Sequence, residues 1–529
     1  MMKIFMYGPP GSGKSVTGRC LAENLALPFY DLDREIEAQT GNLIPDIFTR
    51  QGEAAFRAAE RKELARFLEG NENFVLSLGA GALLEGESRK NAQAAGKVIC
   101  LAASPETLLE RLQAEAGRRP LLAGDIPGRL DKLLATRSSH YASFPFQVDT
   151  SRLSPDEVAW KIQVQGGFFH ITGMGSAYSV RVLQEELEAL GDLLLRNGLN
   201  GPLALITDQN VADHYEQAII TSLRRAGYSC HSIVLPPGEA SKNLSTVSHL
   251  WEAFLDARLD RKSTVLAVGG GVITDLAGFA AATYLRGIRW VAVPTTLLGM
   301  VDASLGGKTG IDLQQGKNLA GAFHAPSLVT AFPVSLATLP EAELRNGLAE
   351  VVKHGVIADP ELFYDCARGW DALMLNASPA IWAALVSRAV AVKVRILLED
   401  PYERGRRAVL NFGHTVGHAL EQASGYRLRH GEAVAIGMVV ESQMAEVLGI
   451  AQAGLPDAIS IVLDGLGLPV SIPTDLDLQV IRSSLKVDKK NLSGKARLAL
   501  PVRIGQAQEG IEIEEDKLWS LFWSCMDQT

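Results

Sequence analysis

Three of the chain's ten histidines lie between residues 411 and 432, and imidazole can ligate a metal or carry a proton near neutral pH. His414 and His418 are four residues apart, so in a helix their side chains share one face. This spacing makes them the first candidates for a metal pair. Two surface histidines are the more ordinary explanation of such a pair, so His430 and a carboxylate from elsewhere are needed to favour a metal.

A second chemically capable stretch, GPPGSGKS, runs from Gly8 to Ser15 and matches the phosphate-binding pattern GxxxxGK[ST]. In such a loop, backbone N–H groups surround a phosphate, the lysine reaches the terminal phosphates and the hydroxyl ligates Mg²⁺. An apolar strand before the loop and a helix candidate after it favour this function over a chance turn. The residues that we expect to bind ATP are Gly11, Ser12, Gly13, Lys14, Ser15 and Val16, and Ser15 is also expected to bind Mg²⁺.

Charged residues that follow the loop suit a second substrate. Asp31 and Asp33 are two residues apart at the end of an apolar run, so one carboxylate can face Mg²⁺ and the other a hydroxyl. Arg57 can hold a carboxylate through two parallel hydrogen bonds. A lone charged side chain usually faces solvent, but the two aspartates and the arginine in this order along the chain favour a binding site.

The elements that must position these residues are those of an α/β protein. A length of 529 residues corresponds to about three domains, and 47% apolar with 21% charged residues is typical of a globular chain. Apolar strands at 202–207 and 263–268 alternate with helical stretches, which predicts a parallel sheet. With the family resemblances given below, the chain is expected to contain a P-loop kinase domain over 1–165 with a parallel sheet flanked by helices, a nucleotide-binding α/β half over 166–335 and an all-helical metal-binding half over 336–529.

The totals exclude several classes of function. A net charge of −9 argues against nucleic acid as the main partner. Five scattered cysteines without a CxxC spacing argue against a disulfide framework or a thiolate zinc site. The phosphate loop leaves no room for a signal peptide, and the longest apolar runs are interrupted by Asp275 or by glycines, so we predict a cytoplasmic protein without a membrane span.

The glycines at 269–271 follow the second strand and precede a helix, an arrangement that favours a pyrophosphate. They do not form GxGxxG, and a strand-end turn without a ligand is almost as common. Glu350 and Lys353 lie three residues apart on one predicted helix face. Glu350 supplies the carboxylate that a metal site containing these histidines needs. One glutamate, imidazoles and neighbouring basic residues predict a catalytic divalent-metal site of the zinc type and a phosphorylated substrate.

The first module resembles shikimate kinases along essentially its whole length. The resemblance rests on the aspartate pair, the IFTRQGEAAFRAAE run, the SLGAGAL loop at 77–83, RPLL at 119–122, and Arg137 with Tyr141. It implies that Asp31 helps to hold Mg²⁺ and that Arg119 closes over the phosphates during transfer. The residues implied to bind shikimate are Asp33, Arg57, Gly79, Gly81 and Arg137. Ala80 stands where that family usually has glycine, and we expect its backbone to be ordinary and its cost small.

The second module resembles 3-dehydroquinate synthases, from the glycine segment through LNFGHTVGHALE and HGEAVAIGM to KVDKKN. The resemblance implies Zn²⁺ (or Co²⁺) held by Glu350, His414 and His430, with Glu403 and His418 as proton-transfer residues. It implies NAD bound by Asp208, Asn210, Glu239, Lys242, Gly270, Gly271, Asp275, Thr295, Thr296, Lys308, Lys317 and Asn318. The implied substrate residues are Lys353 and Lys393, which are also catalytic, with Arg286, Asp302, Arg407, Asn411 and one lysine of the Lys489–Lys490 pair, which we assign to Lys490.

Together these resemblances imply a bifunctional enzyme of the shikimate pathway. One module would phosphorylate shikimate with ATP; the other would convert 3-deoxy-D-arabino-heptulosonate 7-phosphate to 3-dehydroquinate and phosphate, and the resemblance allows a homodimer through that module. The alternative is a kinase fused to a metal-dependent polyol dehydrogenase, against which the many basic residues argue. A third hypothesis keeps one module as a folded scaffold without turnover, and motifs that are intact apart from Ala80 argue against it.

Overall fold

A computed structural model describes residues 2–114, 125–375, 377–487 and 495–526. Its contacts divide the chain into two compact units, Met1–Gly166 and Gly167–Thr529. Within the described residues, no helix is both long and apolar enough to cross a membrane. The division of the second unit at residue 335 stays a prediction.

The first unit contains a five-stranded parallel sheet in the order β2-β3-β1-β4-β5. Its strands are β1 (Lys3–Tyr7), β2 (Phe29–Asp31), β3 (Phe74–Ser77), β4 (Lys97–Ala102) and β5 (Gln147–Asp149). Its helices are α1 (Lys14–Asn24), α2 (Leu32–Thr40), α3 (Ile44–Glu69), α4 (Gly86–Ala95), α5 (Pro105–Ala114), α6 (Ile126–Ala142) and α7 (Pro155–Gly166). The predicted parallel sheet with flanking helices is confirmed.

The central strand β1 is buried at every position, as the apolar run from Ile4 to Tyr7 requires of a strand covered on both faces. Lys3, at its start, is also buried and donates to the carbonyl oxygens of Phe67 at 3.0 Å and Leu68 at 2.6 Å. It pairs with β3 on one side and β4 on the other. Because all five strands are parallel, the carboxyl ends of β1, β2 and β3 meet at one edge. Tyr7, Asp31 and Ser77 end these three strands, so the loops that follow them start at the same edge.

The second unit begins with a seven-stranded sheet in the order β6-β7-β14-β11-β10-β8-β9, parallel except for the antiparallel pair β6–β7. The strands of this half are β6 (Phe168–Ile171), β7 (Tyr178–Val182), β8 (Leu203–Asp208), β9 (Cys230–Leu235), β10 (Thr264–Gly269), β11 (Arg289–Pro294), β12 (Lys308–Leu313), β13 (Gly316–Phe323) and β14 (Leu328–Ala331). Its helices are α8 (Leu190–Arg196), α9 (Gln209–Arg225), α10 (Leu244–Asp256) and α11 (Gly271–Thr283). Strands β12 and β13 form a separate antiparallel hairpin.

The rest of the second unit is helical, as predicted, apart from one hairpin. The helices are α12 (Glu341–Ala358), α13 (Pro360–Cys366), α14 (Trp370–Leu375), α15 (Pro379–Glu399), α16 (His414–Ala423), α17 (His430–Val447), α18 (Leu455–Gly465), α19 (Leu478–Val487) and α20 (Glu515–Met526). Strands β15 (Lys495–Arg503) and β16 (Gln506–Glu514) pair antiparallel, which corrects the expectation of an all-helical half. Gly505, with φ 84°, lies in the turn between them, where the chain needs a left-handed conformation.

Two candidate active sites

The phosphate loop joins β1 to α1 in the conformation that its glycines allow. Gly8, Gly11 and Gly13 have φ angles of 134°, 80° and 87°. A Cβ on Gly8 would lie less than 3.0 Å from the carbonyl oxygen of Leu101. Lys14 Nζ donates to the carbonyl oxygens of Gly8 at 3.0 Å and Pro9 at 2.9 Å. The ammonium group therefore lies over the loop, where a bound phosphate would meet it.

Ser15 and Asp31, the two predicted Mg²⁺ residues, are in contact. Ser15 Oγ donates to Asp31 Oδ2 at 2.6 Å and lies 3.1 Å from Ser77 Oγ. Asp31 pairs with Ser77 across strands β2 and β3, and its second oxygen accepts from the Asp33 N–H at 3.2 Å. Hydroxyl and carboxylate oxygens are the protein ligands that Mg²⁺ prefers, so these residues fit the ion.

The loop at 79–81 lies against the predicted acceptor residues. A Cβ on Gly79 would lie 3.5 Å from Asp33 Oδ1, and one on Gly81 would lie 2.7 Å from an Arg57 nitrogen. Arg57 also donates to Glu60 at 2.7 Å. A side chain at position 81 would displace the Arg57 guanidinium group from its present position. The structure thus brings together Asp33, Arg57 and both loop glycines.

Ala80 has no positive φ, which confirms the expectation of an ordinary backbone at this position. Arg137 lies nearby: burial raises the pKa of Tyr141, and a hydrogen bond from Arg137 opposes that rise. Arg119, predicted to close over the phosphates, lies outside the described residues.

In the second unit, two loops lie side by side at the carboxyl edge of the sheet. Strands β10 and β11 are paired through Gly269 and Pro294, and the Thr295 N–H donates to the Gly269 carbonyl at 3.0 Å. A Cβ on Gly270 would lie 3.1 Å from the methyl carbon of Thr296. The edge beyond the carboxyl ends of parallel strands, with a helix N-terminus facing it, is where nucleotides bind in this class of sheet.

Four predicted NAD residues form one cluster around Lys242. Its buried ammonium group donates to Asp275 Oδ2 at 2.7 Å and to Asn318 Oδ1 at 2.5 Å, and lies 3.9 Å from Glu239 Oε1. Burial raises the pKa of Asp275, and the charge of Lys242 opposes that rise. Residues from a loop, a helix and the β12–β13 hairpin are therefore held in one polar group.

The other predicted NAD residues lie on separate elements. Asp208 ends β8 and caps α9 by accepting from the Val211 N–H at 3.2 Å, and Asn210 lies in the first turn of α9. Lys317 lies over the ring of Tyr426, 4.4 Å from its centroid. Lys308 instead forms an ion pair with Glu403, a predicted proton-transfer residue.

The predicted substrate residues form two groups. Lys393 Nζ donates to the carbonyl of Asp302 at 2.7 Å and to its carboxylate at 2.5 Å. Burial lowers the pKa of Lys393, and Asp302 opposes this shift. Asn411 donates to Glu403 at 3.0 Å.

Arg407 is buried and donates to the carbonyl of Pro401. Arg286 is exposed, with φ 67°, and no contact with another predicted site residue is recorded within the described ranges. Lys489 and Lys490 lie outside those ranges. The assignments of Arg286 and Lys490 to the substrate therefore stay predictions.

Glu350, His414 and His430 converge, and their ligand atoms all lie within 4.8 Å of one another. Glu350 Oε1 is 3.6 Å from Nε2 of each histidine, and its other oxygen forms an ion pair with Lys353. The Glu350 side chain is fully buried, and Oε1 has no hydrogen-bond donor in the described part of the chain. A buried carboxylate oxygen between two imidazole nitrogens is the donor set of a catalytic zinc site, so these residues fit the ion.

Two helices place these histidines. His414 is the first residue of α16, and His430 is the first residue of α17. The two helices are in close contact: a Cβ on Gly417 would lie only 3.2 Å from the Ala433 carbonyl oxygen. His414 Nδ1 lies 3.1 Å from the Phe412 carbonyl oxygen, and His430 Nδ1 lies 3.6 Å from Glu421 Oε2. Each contact leaves Nε2 facing Glu350, which is how surrounding groups orient metal-binding imidazoles.

His418 lies beside this group, with its ring centroid 5.3 Å from that of His414. It forms a second possible ligand set with Glu421 and His430, distinct from the set that contains Glu350. Glu421 was missed from the sequence, although it follows His418 by one helical turn. His354 was also missed: it is fully buried, one turn after Glu350, and its ring lies within 4.8 Å of carboxylate oxygens of Glu350 and Asp302.

Comparison with known proteins accounts for both modules. The chain is 43% identical over 343 residues to a 3-dehydroquinate synthase of Nostoc punctiforme, which covers 64% of this chain and 94% of that protein. It is 48% identical over 319 residues to a 3-dehydroquinate synthase of Symbiobacterium thermophilum, covering 60% and 89%. The chain belongs to the 3-dehydroquinate synthase family. Family models for the synthase match residues 232–346 (N-terminal) and 347–491 (C-terminal).

The family model for shikimate kinase matches residues 10–165. The chain is therefore a fusion of a shikimate kinase domain, a phosphotransferase, with a 3-dehydroquinate synthase, a phosphorus–oxygen lyase. The dehydrogenase alternative is not favoured, because the relatives that match at this identity are synthases.

Solved structures resemble the synthase module. A 2-epi-5-epi-valiolone synthase from Streptomyces hygroscopicus subsp. jinggangensis 5008, with NAD⁺ and Zn²⁺ bound, is 30% identical, with a TM-score of 0.61, and covers 67% of this chain and 98% of that chain. A 2-deoxy-scyllo-inosose synthase complexed with carbaglucose-6-phosphate, NAD⁺ and Co²⁺ is 25% identical, with a TM-score of 0.61, covering 67% and 99%.

Proposed function

We propose that the first module phosphorylates shikimate with ATP and that the second converts 3-deoxy-D-arabino-heptulosonate 7-phosphate to 3-dehydroquinate and phosphate, through the residues described above. The observation that carries the assignment of sites is the convergence of Glu350, His414 and His430 in the synthase, beside the buried Lys353. In the kinase, the assignment of the site rests on the contact of Ser15 with Asp31.

In the kinase site, the N–H groups of the phosphate loop and Lys14 bind the phosphates of ATP. Ser15 and Asp31 would hold Mg²⁺, which neutralises negative charge on the phosphates when it is bound. Asp33 accepts a hydrogen bond from the attacking hydroxyl, and Arg57 holds the carboxylate of shikimate with Arg137. Arg119 would complete the site from outside the described residues.

In the synthase, the residues around Lys242, with the loops at 270–271 and 295–296, would hold NAD. Both solved relatives named above contain NAD⁺, and NAD supplies hydride acceptance and return when bound. Glu350, His414 and His430 would hold Zn²⁺ or Co²⁺, which supplies polarisation of a substrate oxygen. The buried Lys242 donates to Asp275 on α11 and to Asn318 on the β12–β13 hairpin, so it joins the hairpin to α11 at one wall of the proposed nucleotide site.

Other residues of the synthase module bind the substrate and transfer protons. Lys393 and Arg407 carry buried positive charge that suits a phosphorylated, carboxylated substrate and that stabilises a leaving phosphate. Asp302 orients Lys393, and Glu403 orients Asn411. We expect Glu403 and His418 to exchange protons with the substrate or with solvent, and the half-buried position of Glu403 and the exposure of His418 support this role.

Two further expectations stay predictions: a homodimer formed through the synthase module, and a cytoplasmic location. Light scattering during size-exclusion chromatography measures the first, because a dimer has twice the 56.9 kDa mass of the chain.

The test of two independent sites is Lys14→Ala in the full chain. Because Lys14 reaches over the phosphate loop, ATP-dependent phosphorylation of shikimate should fall by about 100-fold or more, while phosphate release from the heptulosonate phosphate is unchanged. Lys161→Ala, an exposed lysine on α7, is the matched control and should leave both activities intact. Loss of both activities in the Lys14 variant would refute independent modules, and retention of kinase activity would refute the role of the loop.

A further inference from the structure

Two tyrosine hydroxyls bind the same carbonyl oxygen in the kinase module. Tyr141 Oη donates to the Ala80 oxygen at 2.8 Å, and Tyr7 Oη donates to it at 3.3 Å. Tyr7 is fully buried and Tyr141 is buried. Tyr7 Oη also lies 3.1 Å from His140 Nε2. The carbonyl that precedes Gly81 is thus held by side chains from β1 and α6.

The hydrogen bond from Tyr7 to Ala80 determines which tautomer His140 must adopt. A phenol has one proton, so if Tyr7 donates to Ala80, the nitrogen of His140 must donate to Tyr7. A neutral imidazole with its proton on Nε2 does this. Burial lowers the pKa of His140, and the charges of Arg89 and Arg137 lower it further, which favours the neutral ring.

Rigid packing surrounds these hydrogen bonds. The Tyr7 ring centroid lies 5.5 Å from that of Tyr141 and 5.2 Å from that of Phe144. Tyr7 directly precedes Gly8, the first residue of the phosphate loop, and α6 also carries Arg137. The cluster therefore joins the phosphate loop, the loop at 79–81 and the helix of a predicted shikimate-binding arginine.

Holding the carbonyl of Ala80 has a consequence for the next N–H. The Ala80 oxygen and the Gly81 N–H belong to one planar trans peptide and point in opposite directions. Within the described residues, the N–H of Gly81 has no recorded acceptor, whereas those of Ala82 and Leu84 close turns onto Gly79 and Gly81 at 3.1 and 3.2 Å. Because the tyrosines hold the Ala80 oxygen, the N–H of Gly81 points away from them. Gly81 itself lies against Arg57.

We propose that Tyr7 and Tyr141, supported by His140, are positioning residues of the kinase: they orient the Ala80–Gly81 peptide so that its N–H binds the acceptor substrate. This inference rests on the proposed shikimate kinase function.

The test is Tyr7→Phe, Tyr141→Phe and the double variant, in steady-state kinetics of the full chain with shikimate and ATP. Each single variant should raise KM for shikimate by about 2- to 10-fold, the range expected for one net hydrogen bond. The double variant should exceed the product of the two, because each single variant keeps one donor on Ala80. The kcat and the KM for ATP should stay within about twofold, since the phosphate loop itself is unaltered.

Tyr30→Phe is the matched control. Its ring packs 5.1 Å from that of Phe67 in the same module, and the described residues offer its hydroxyl no recorded partner, so no kinetic change is expected. The inference is overturned if the double variant keeps its KM for shikimate, or if KM for ATP rises equally, or if only the thermal midpoint falls, which would mean a purely structural role. A wild-type chain that does not phosphorylate shikimate would instead overturn the proposed function.

Discussion

His430 lies between two carboxylates, with Glu350 facing Nε2 and Glu421 facing Nδ1 at 3.6 Å each. The Glu421 contact fixes the ring so that Nε2 points at the buried carboxylate, and such partners raise the basicity of a metal-binding imidazole. Glu421→Gln keeps the size of the side chain and removes its charge. We expect the affinity of the synthase for Zn²⁺ to fall about 10- to 100-fold, as measured by competition with a chromophoric chelator.

Glu399→Gln is the control for that change, since Glu399 is half-exposed and lies 3.8 Å from Arg406. Its zinc affinity should equal that of the wild type. If Glu421→Gln also leaves the affinity unchanged, then Glu421 does not orient His430 as a metal ligand.

At the scale of elements, the unit β1–loop–α1 depends on Gly8, where φ is positive and a side chain would overlap a neighbouring backbone. A Cβ on Gly8, at φ 134°, would meet the Leu101 backbone, whereas one on Gly41, at φ 67°, would meet nothing within 4 Å. Gly8→Ala should therefore cost about 2–5 kcal/mol of stability from strain and overlap and remove kinase activity.

Gly41→Ala, at the end of α2 in the same module, should cost only about 1 kcal/mol and keep kinase activity, because strain acts there without a clash. The urea midpoint of unfolding, followed by circular dichroism, measures the stability of both variants, and a kinase assay without urea measures their activity. Equal shifts for the two variants would mean that the contact with Leu101 does not determine the shape of the loop.

At the scale of the whole molecule, each unit has its own core and its own predicted ligands. One hydrophobic cluster around Phe5, Leu76 and Phe74 lies within residues 1–166, and others, such as that around Leu266 and Val291, lie within 167–529. The predicted Zn²⁺ residues all belong to the second unit and the predicted Mg²⁺ residues to the first.

Treatment with a zinc-selective chelator, followed by assay of the kinase in excess Mg²⁺, should therefore abolish phosphate release from the heptulosonate phosphate and leave shikimate phosphorylation intact. Addition of Zn²⁺ or Co²⁺ should restore the lost activity. Synthase activity that survives complete removal of the metal, checked by elemental analysis, would contradict the metal site.

Much of this protein was evident from the sequence by itself, because those features are local. The phosphate loop is one contiguous stretch, and strands at 202–207 and 263–268 were predicted within one residue of β8 and β10 from apolar runs and turn residues. Helix-forming segments in the sequence also predicted the change to helices after residue 333. The β15–β16 hairpin was missed, since its predicted context was helical on both sides.

Only the tertiary structure decided which distant residues meet. Spacing of four residues pointed to His414 with His418, whereas the family resemblance implied Glu350, His414 and His430. Packing of α12, α16 and α17 brings the second set together and leaves His418 beside it. The sequence alone does not distinguish Tyr7 from the other apolar residues of β1. Its contacts with Ala80 and His140 follow from the pairing of strands and the position of α6. Spacing along the chain determines which side chains share a face, whereas close packing between elements determines which faces touch, and that information is spread over the whole core.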